Sequence, residues 1–344
     1  MSPGSPEGEP AAAGAGLPRR VVALGGGSGL PAVLRGLRRF ATGGELSDLI
    51  AVVAMSDDGG SSGRLRRGRG LPPPGDVRNC LVALAEEEDL LSALFQHRYD
   101  GDGELGGHNL GNLILAALAE QTGSFLKAVE VSGLVLRIAG RILPVTTDDV
   151  TLTARLEDGS EICGESTIGS CRKPIRSVAL HPATARPTPG VVEAIRGADL
   201  IVLGPGSLFT SVVPNLVVEE VAQALRGARG VRALVANLVS ERGEAPGLTL
   251  ESHLQVIEEH AGGRVVDVAI VHDGPVAADT LRRYHDEGSN LLAAAGPVLG
   301  GRPVVRRNLL ADGDKLRHDP VATADALLEA WRTCRAASGA LNRA

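Results

Sequence analysis

Aromatic side chains are scarce in this chain, making up 2% of its 344 residues as one Trp, two Tyr and four Phe. Proteins that bind single-stranded nucleic acids need aromatic rings on which the bases stack. The formal net charge is -6, whereas general DNA-binding proteins rely on an excess of positive charge. The composition therefore predicts no nucleic-acid partner, and the arginines have to be interpreted locally.

Long apolar segments are also missing. No stretch approaches the roughly eighteen consecutive apolar residues that a membrane-spanning helix needs. The first nineteen residues are rich in Pro, Gly and Ala and lack the apolar core of a signal peptide, so they are interpreted as a disordered tail. The four cysteines, at positions 80, 163, 171 and 334, form no C-x-x-C pair, which excludes the usual zinc spacings and favours reduced thiols. We expect a cytoplasmic protein without membrane insertion.

What the chain does contain is a regular alternation of short apolar runs and helical patterns, which predicts an α/β fold with a mostly parallel sheet covered on both faces. Hydrophobic residues make up 43% of the sequence, enough for a sizeable core. The predicted strands are 20–24, 48–55, 177–180, 199–203, 231–239, 265–271 and 302–310, and the predicted helices are 30–40, 76–88, 108–123, 124–140, 189–197, 213–227, 250–261 and 320–337.

One segment departs from this alternation. Residues 150–167 alternate apolar and polar side chains around Asp158–Gly159, which is typical of a β-hairpin, so we expect an antiparallel insert or edge. No Pro/Ser-rich linker divides the remainder of the chain. We therefore predict a single α/β domain over residues 20–338, with tails at 1–19 and 339–344.

Glycine-rich segments occur at five places where a strand ends or a helix begins, and ligands of open parallel sheets bind outside the carboxyl ends of the strands. The first is "GGGSGL" (25–30), in which Gly27, Gly29 and Ala32 match a relaxed dinucleotide fingerprint. Glycines let the backbone approach a phosphate closely, and the following helix N-terminus supplies N–H donors. The alternative is a tight strand-to-helix turn with no ligand.

The second segment, "SDDGGSSGRLRRGRG" (56–70), combines two carboxylates, a Gly/Ser run and four arginines. Asp57 and Asp58 are candidates for holding ribose hydroxyls or a magnesium ion. A phosphate could bind to Ser61, Ser62 and the loop amides, with Arg64 and Arg66 neutralising its charge. The alternative is a solvated, flexible loop of balanced charge.

The third segment, "PPPGDVRN" (72–79), leads into a helix, where Asp76 either caps the helix or faces a ligand together with Arg78 and Asn79. The fourth segment is "GGHNLGN" (106–112), again at a helix start. Its His108 is a candidate general acid/base or hydrogen-bond donor to an anion, or else a structural histidine. Asn109 adds an uncharged polar side chain that could contact the same ligand.

The fifth segment, "GPGSLFTSVVPN" (204–215), follows a strand directly, and its small polar residues suit a phosphate or a ribose. Asn237 lies near the end of the next strand. Any one of the five segments could be a plain turn. Five of them at one edge of a sheet predict a ligand with several phosphates.

Taken together, "GGGSGL", "SDDGGSSGRLR", "PPGDVRNCLVALA", "HNLGNL" and "GPGSLFTS" resemble the gluconeogenesis factor (YvcK) family, which belongs to the CofD-like superfamily of 2-phospho-L-lactate transferases. The resemblance runs from about residue 20 to 335. It implies a Rossmann-like three-layer sandwich. It also implies binding of a UDP-sugar, notably UDP-N-acetylglucosamine, by a regulatory protein needed for cell shape and peptidoglycan precursor supply during growth on gluconeogenic carbon sources.

The resemblance also assigns site residues. Near the end of the chain, "KLRHDP" (315–320) is similar to a terminal motif of the family, which makes Arg317, with Tyr284 upstream, a nucleotide-sugar contact. The remaining implied positions are Gly26, Gly27, Ser28 and Gly29; Asp57 and Asp58; Asp76, Arg78 and Asn79; His108 and Asn109; and Gly204, Pro205, Gly206 and Ser207.

The transferase relatives move a phospholactyl group from a nucleoside-diphosphate-linked donor to an alcohol with the help of magnesium, which is the alternative function here. The turn reads GPGSL rather than the transferase-like GPSNP, and "SERGEA" (240–245) replaces the T-Q-x-G-E-T of the family. The GPGSL turn favours the regulatory branch, whereas in "SERGEA" Ser240 and Glu244 replace the family pattern only in part. A third alternative, an NAD-dependent dehydrogenase, lacks the third glycine of its fingerprint. As partners we expect the UDP-sugar, a cell-wall precursor enzyme and further copies of the chain.

Overall fold

The computed structural model describes residues 16–86, 90–241, 243–245, 247–294 and 296–341, with side chains described as far as residue 337. Residues 1–15 of the predicted N-terminal tail, and residues 342–344 of the C-terminal tail, lie outside the described residues. The fold has an eight-stranded sheet flanked by helices and a separate three-stranded sheet. The predicted α/β class, with its mostly parallel sheet and antiparallel insert, is confirmed.

The large sheet has the strand order β10-β11-β9-β8-β7-β1-β2-β3. Every neighbouring pair is parallel except β10 and β11. Its central strands are continuous apolar runs buried on both faces, as expected for a parallel sheet between helices. The strands are β1 (Arg20–Gly25), β2 (Asp48–Val53), β3 (Arg141–Pro144), β7 (Leu200–Leu203), β8 (Val231–Val235), β9 (Val268–His272), β10 (Val298–Leu299) and β11 (Arg302–Arg307).

The small sheet contains the predicted hairpin. Its strands β4 (Thr151–Leu156) and β5 (Glu161–Cys163) pair in antiparallel fashion on either side of Asp158–Gly159. The third strand, β6 (Ile175–His181), pairs antiparallel with β4. The expectation that 177–180 belongs to the parallel sheet is therefore wrong. Its alternating buried and exposed side chains are those of a half-buried antiparallel strand rather than a core strand.

The helices mostly match the predicted ones, with three differences. The Gly/Ser run of residues 56–70 is not a loop, because a helix begins at Gly60. The helix predicted over 213–227 is broken into α9 and α10 and is preceded by a π-helical turn at Leu208–Val212. Three short helices, α4, α7 and α12, were not predicted. The helices are α1 (Gly29–Thr42), α2 (Gly60–Arg69), α3 (Gly75–Leu84), α4 (Leu90–Gln96), α5 (Leu110–Thr122), α6 (Phe125–Val135), α7 (Glu165–Gly169), α8 (Val191–Gly197), α9 (Val213–Leu216), α10 (Glu219–Arg226), α11 (Leu250–His260), α12 (Ala278–Asp286) and α13 (Pro320–Leu341).

The strand order reverses at β1, which pairs with β2 on one side and with β7 on the other. From β1 the chain proceeds outward to β2 and β3, and it later returns to β7 before building β8, β9 and β11. Such a reversal opens a crevice between the loops that leave the two strands, and it is where open α/β sheets bind ligands. The carboxyl ends of seven parallel strands share this edge of the sheet, which we call the rim.

Within the described residues, no single helix is long and apolar enough to cross a bilayer. The segments Leu208–Leu216 and Glu219–Arg226 satisfy length and composition only as a pair bent by 79°. Their apolar side chains, including Phe209 and Val221, are buried in the core. Burial in the core accounts for their apolar composition.

Helices α1 and α13 cross at a glycine. A Cβ at Gly36 would overlap the carbonyl oxygen of Pro320 and lie 2.9 Å from the Cβ of Ala324. The backbone of α13 therefore approaches α1 more closely than any side chain would allow. This contact fixes the C-terminal helix against the helix that begins at the first glycine-rich loop.

We expect Gly36→Ala to lower the free energy of unfolding by about 1–3 kcal/mol, because the added methyl group overpacks the α1–α13 contact. Urea denaturation measures the change. The matched control is Gly68→Ala in α2, where a Cβ meets no atom within 4 Å. It should instead stabilise the protein by up to about 1 kcal/mol through helix propensity. Equal effects of the two substitutions would contradict the packing argument.

Candidate functional site

The first glycine-rich loop lies at the centre of the rim, between β1 and α1. Gly27 has a φ of +60° and Ser28 is in the right-handed helical region, so successive N–H groups converge on one point. This arrangement forms a concave nest suited to an anion. Ser28 makes no side-chain capping bond, so the first turn of α1 has no side-chain cap of its own. The predicted strand, glycine turn and helix N-terminus are all present.

The GPGS turn lies beside this loop, across the reversal in strand order. A Cβ at Gly29 would overlap the carbonyl oxygen of Pro205, and a Cβ at Gly206 would lie 3.4 Å from the carbonyl oxygen of Gly26. Gly204 and Gly206 have φ values of +72° and +155°, which L side chains rarely adopt. The two turns that sequence reasoning assigned to phosphate binding are therefore in direct contact, with the half-exposed Ser207 at their edge.

Asn237 holds the second turn rather than extending freely into the cleft. Its side chain accepts a hydrogen bond from the Gly206 N–H and donates one to the Gly206 carbonyl, both at 2.9 Å. Because both groups of the amide are used, Asn237 supports the geometry of the turn. Its predicted contact with a ligand stays a prediction.

Asp76 does not cap its helix. The N-cap position of α3 is Pro74, and no side-chain capping bond forms there. The Oδ2 atom of Asp76 instead accepts a hydrogen bond from the Gly27 N–H at 2.7 Å. Loss of water around this carboxyl group, reinforced by nearby Asp57, raises the pKa of Asp76 to about 6 even though the Gly27 bond and Arg78 oppose the shift. Asp76 thus joins α3 to the phosphate-type loop.

Arg78 and Asn79 lie in the first turn of the same helix. Arg78 is buried, and its Nη2 donates to the Oδ1 of Asn79 at 2.6 Å. Its Nε has no hydrogen-bond partner among the described residues. Burial, together with the neighbouring Arg98, lowers the pKa of Arg78. A buried guanidinium group with a spare donor adjoins the carboxylates of Asp57 and Asp76.

The acidic pair that follows β2 is largely engaged within the protein. Oδ1 of Asp57 accepts from the Gly59 N–H at 2.9 Å. Oδ1 of Asp58 accepts from both the backbone N–H and the hydroxyl of Ser166, at 2.9 and 2.6 Å. Within the described ranges, no three His, Cys, Asp or Glu side chains are arranged to hold a metal ion. The predicted magnesium site at Asp57 and Asp58 needs only two carboxylates and stays a prediction, and we derive no step through a metal.

The fourth glycine-rich segment packs on the first turn of α2. His108 Nδ1 lies 3.2 Å from the hydroxyl oxygen of Ser61, and the side chain of Asn112 donates to the hydroxyl of Ser62 at 3.5 Å. The backbone N–H of Asn109 also donates to the Ser61 hydroxyl at 3.3 Å, so buried Ser61 and Ser62 join α2 to the fourth segment. Partial desolvation and the nearby Arg64 lower the pKa of His108, so its ring is neutral at pH 7.

Two predicted contacts in this region have structural partners. Asn109 is the N-cap of α5, because its side chain accepts from the Asn112 N–H at 3.2 Å. Exposed Arg64 donates to the carbonyl of Gly106 at 2.9 Å. Both side chains hold the turn before α5, so their role in ligand binding stays a prediction. Arg66, the other arginine considered for phosphate, binds Asp149 near the small sheet.

Tyr284 and Arg317 lie together farther along the rim. The hydroxyl oxygen of Tyr284, on α12, accepts a hydrogen bond from the Leu316 N–H at 3.1 Å. Arg317 follows directly and is exposed. The structure therefore brings these two positions, 33 residues apart in sequence, to one place, and their contact with a nucleotide-sugar stays a prediction.

The neighbours of Arg317 explain its exposure. His318 Nε2 donates to the carbonyl of Ala236 at 3.0 Å, and burial lowers its pKa to about 4, so it is neutral at pH 7. Asp319 accepts from the Ala322 N–H at 2.7 Å in the first turn of α13. These two residues anchor the segment to the end of β8 and to α13. The third residue of the motif, Arg317, remains available at the surface.

The "SERGEA" segment packs against the π-helical turn at Leu208–Val212. The hydroxyl of Ser240 accepts from the Asn290 N–H at 3.0 Å, and Glu241 accepts from the Leu208 N–H at 3.1 Å. Glu244 is buried and accepts from the hydroxyl of Thr210 at 3.2 Å. Burial and the adjacent Glu241 raise the pKa of Glu244 well above its usual range. The segment holds the π-helical turn in place despite its departure from the family pattern.

Sequence reasoning missed one acidic side chain in the cleft. Glu165 belongs to α7, which extends from the small sheet, and no motif distinguished it. Desolvation and the carboxylates of Asp57, Asp58 and Asp76 raise the pKa of Glu165 to about 7. Only the packing of the insert against the rim reveals Glu165, because this position lies 53 residues after the last glycine-rich segment of the first half, 106–112.

Comparison with known proteins agrees with this geometry. The CofD family, described as 2-phospho-L-lactate transferase CofD, matches residues 21–303. The gluconeogenesis factor of Halalkalibacterium halodurans is 40% identical over 314 residues, covering 90% of this chain and 96% of the relative. The chain belongs to the gluconeogenesis factor group of the CofD family.

Two further members support the assignment. The gluconeogenesis factor of Bacillus subtilis is 37% identical over 313 residues, covering 90% of this chain and 97% of that protein. The crystal structure of protein BH3568 from Bacillus halodurans superimposes with a TM-score of 0.86 at 39% identity, covering 90% and 99% of the two chains. The predicted family and fold are both confirmed.

We expect Asp76→Asn to stabilise the protein at pH 8 and to have no effect on stability below about pH 4. A carboxyl group whose pKa rises from 3.8 to about 6 on folding costs stability once it ionises, so stability falls as the pH rises through this window. The shift corresponds to at most about 3 kcal/mol. Because the Asp76 side chain is only half-buried, we expect Asp76→Asn to raise the free energy of unfolding at pH 8 by about 1–2 kcal/mol.

Urea unfolding at several pH values measures this difference. The asparagine can still accept from the Gly27 N–H, so the loop geometry is preserved. Asp102→Asn, at an exposed position, is the control and should stay within about 0.5 kcal/mol of the parent at pH 8. A loss of stability in Asp76→Asn at pH 8 would show that the ionised carboxylate is needed to hold the loop.

Proposed function

We propose that this gluconeogenesis factor is a cytoplasmic regulatory protein that binds a UDP-sugar, above all UDP-N-acetylglucosamine, and governs the supply of cell-wall precursors and thereby cell shape. The observation that carries the proposal is the contact of the two glycine turns at the reversal in strand order. Gly29 packs on Pro205, and Gly206 packs on Gly26. Two adjacent turns beside the N-terminus of α1, which has no side-chain cap, suit the two phosphates of a nucleoside diphosphate better than a single phosphate.

The length of the rim also supports the binding of a nucleotide-sugar. Strands of a sheet lie about 4.8 Å apart, so the three steps from β1 through β7 and β8 to β9 span roughly 14 Å. Tyr284 and Arg317 lie near the far end of this span, since His318 is bonded to the residue after β8. A ligand that reaches both the glycine turns and this pair has to be extended. The phenol ring supplies a stacking surface for a nucleobase, and Arg317 supplies a cation.

The transferase function remains as a second candidate because of one observation. Asp76 and Glu165 have pKa values raised to about 6 and about 7, and both lie beside the glycine loops. A carboxylate with a pKa near the working pH is a suitable general base for an attacking hydroxyl group. We favour the regulatory function, since Asp58, the second predicted magnesium ligand, is bound by Ser166.

A regulatory protein also needs a protein that receives its signal. We propose an enzyme of cell-wall precursor synthesis as this partner, and self-association of the chain. Pull-down of candidate enzymes in the presence and absence of the UDP-sugar would detect such a partner. A sugar-dependent interaction is the expected result.

We expect Arg317→Ala to weaken binding of UDP-N-acetylglucosamine by on the order of tenfold or more, as for the loss of a hydrogen bond to a charged group. Isothermal titration calorimetry measures the affinity, and thermal unfolding tests whether the fold is retained. The matched control is Arg196→Ala in α8, an exposed arginine at the opposite end of the sheet. Unchanged affinity of Arg317→Ala would remove this residue from the site.

Product analysis of the same mixtures distinguishes the two candidate functions. Saturable binding of the UDP-sugar with unchanged ligand is expected of the regulator. Release of a nucleoside monophosphate from a nucleoside-diphosphate-linked donor in the presence of an acceptor alcohol would instead support the transferase. Binding of NAD with no binding of UDP-sugars would contradict both.

A further inference from the structure

Helix α7 connects the small antiparallel sheet to the ligand cleft. It begins after Gly164, whose φ is +95°, and Ser166 in its first turn donates two hydrogen bonds to Asp58 at the end of β2. A Cβ at Gly164 would overlap the Asp58 carboxylate, so the backbone of the insert lies directly against this side chain. The insert is thereby fastened to the rim on the β2 side of the glycine loops.

This attachment places Glu165 inside the cleft. Its carboxyl group is half-buried and is surrounded by Asp57, Asp58 and Asp76. The hydroxyl of Thr210 lies near the Glu165 carboxyl group, but it donates its proton to Glu244 at 3.2 Å. Glu165 therefore retains acceptor capacity that the described residues do not satisfy, and it lies where a ligand on the glycine turns would continue.

The two ends of the rim offer opposite chemistry to a bound ligand. On the β9 side, Tyr284 presents a ring and Arg317 presents donors. At the centre, the first turn of α1 has no side-chain cap, so its N–H groups are also donors. On the β2 side, Asp57, Asp76 and Glu165 are acceptors and repel phosphate, but they favour groups that donate hydrogen bonds. Sugar hydroxyl groups are donors, and a nucleobase is a stacking group.

We infer that Glu165 is a specificity-determining residue that accepts a hydrogen bond from a hydroxyl group of the ligand's sugar. The sugar then lies over the β2 side of the rim and the nucleobase lies toward β9. The inference rests on the proposed binding of a UDP-sugar and adds the orientation of that ligand. It also gives the antiparallel insert a role in selecting the ligand.

Calorimetric titration of Glu165→Gln with UDP and with UDP-N-acetylglucosamine at pH 8 or above, where Glu165 is mostly ionised, tests the inference. The amide keeps one acceptor oxygen but loses the charge that strengthens a hydrogen bond from a hydroxyl. We expect the affinity for the UDP-sugar to fall on the order of tenfold, as for one charge-assisted hydrogen bond, while the affinity for UDP is unchanged or increases. The ratio of the two affinities is the decisive quantity, because a general structural defect would weaken both ligands together.

Two control variants accompany this measurement. Glu161→Gln makes the same chemical change in β5 of the same insert, where Glu161 is exposed and paired with Arg155, and it should leave the ratio unchanged. Glu165→Asp keeps the charge but shortens the side chain, and it should also lower the ratio. Thermal unfolding verifies that each variant is folded.

The outcomes separate this inference from the proposed function. If the parent protein binds the UDP-sugar and Glu165→Gln leaves the affinity ratio unchanged, the inference is wrong and the proposed function stands. The same conclusion follows if UDP and the UDP-sugar lose affinity equally in a folded variant. If the parent protein binds neither UDP nor the UDP-sugar, both proposals are overturned.

Discussion

The arrangement of the site depends on the close approach of two backbone turns where the strand order reverses. Gly29 lies against the carbonyl of Pro205, and Gly206 lies against that of Gly26. A side chain at Gly29 would overlap Pro205, the φ of Gly206 is one that L side chains rarely adopt, and Asn237 holds Gly206 in place through both of its amide groups. The two turns lie at the same edge of the sheet because β1 and β7 are parallel neighbours. The other parts of the cleft are positioned relative to this pair.

Around the glycine turns, the cleft separates donors from acceptors. Asp76 binds the Gly27 amide directly, while Asp57 and Glu165 extend the acidic region toward the small sheet. The mutual proximity of these carboxyl groups, away from water, raises the pKa values of Asp76 and Glu165 toward neutrality. Such shifts are frequent at functional sites, where groups are positioned for a ligand rather than for stability. Keeping these carboxyl groups away from water costs free energy of folding, which the large, continuous apolar core around the central strands offsets.

Several predictions from the sequence failed for a common physical reason. The segment 56–70 has many glycines and charges, which favour a loop, yet it forms α2 because Ser61 and Ser62 are buried against the turn before α5. Aspartate is a common N-cap residue, but the carboxyl group of Asp76 accepts a hydrogen bond from the Gly27 N–H instead of capping α3. Strand β6 matched a core strand in composition and joined the small sheet. In each case a contact between distant segments overrode the local preference.

The amino-acid sequence by itself determined the fold class, the family and the positions of the glycine turns, because strand and helix periodicity and the φ freedom of glycine are local properties. Only the tertiary structure decided which side chains face the cleft. In the folded protein, the side chains of Asp58, Asn109 and Asn237 are bonded within the protein. Arg317 is exposed because its neighbours His318 and Asp319 are anchored. Helix α7 of the insert brings Glu165 to the cleft. Those roles depend on contacts between residues far apart in the chain, which no local pattern encodes.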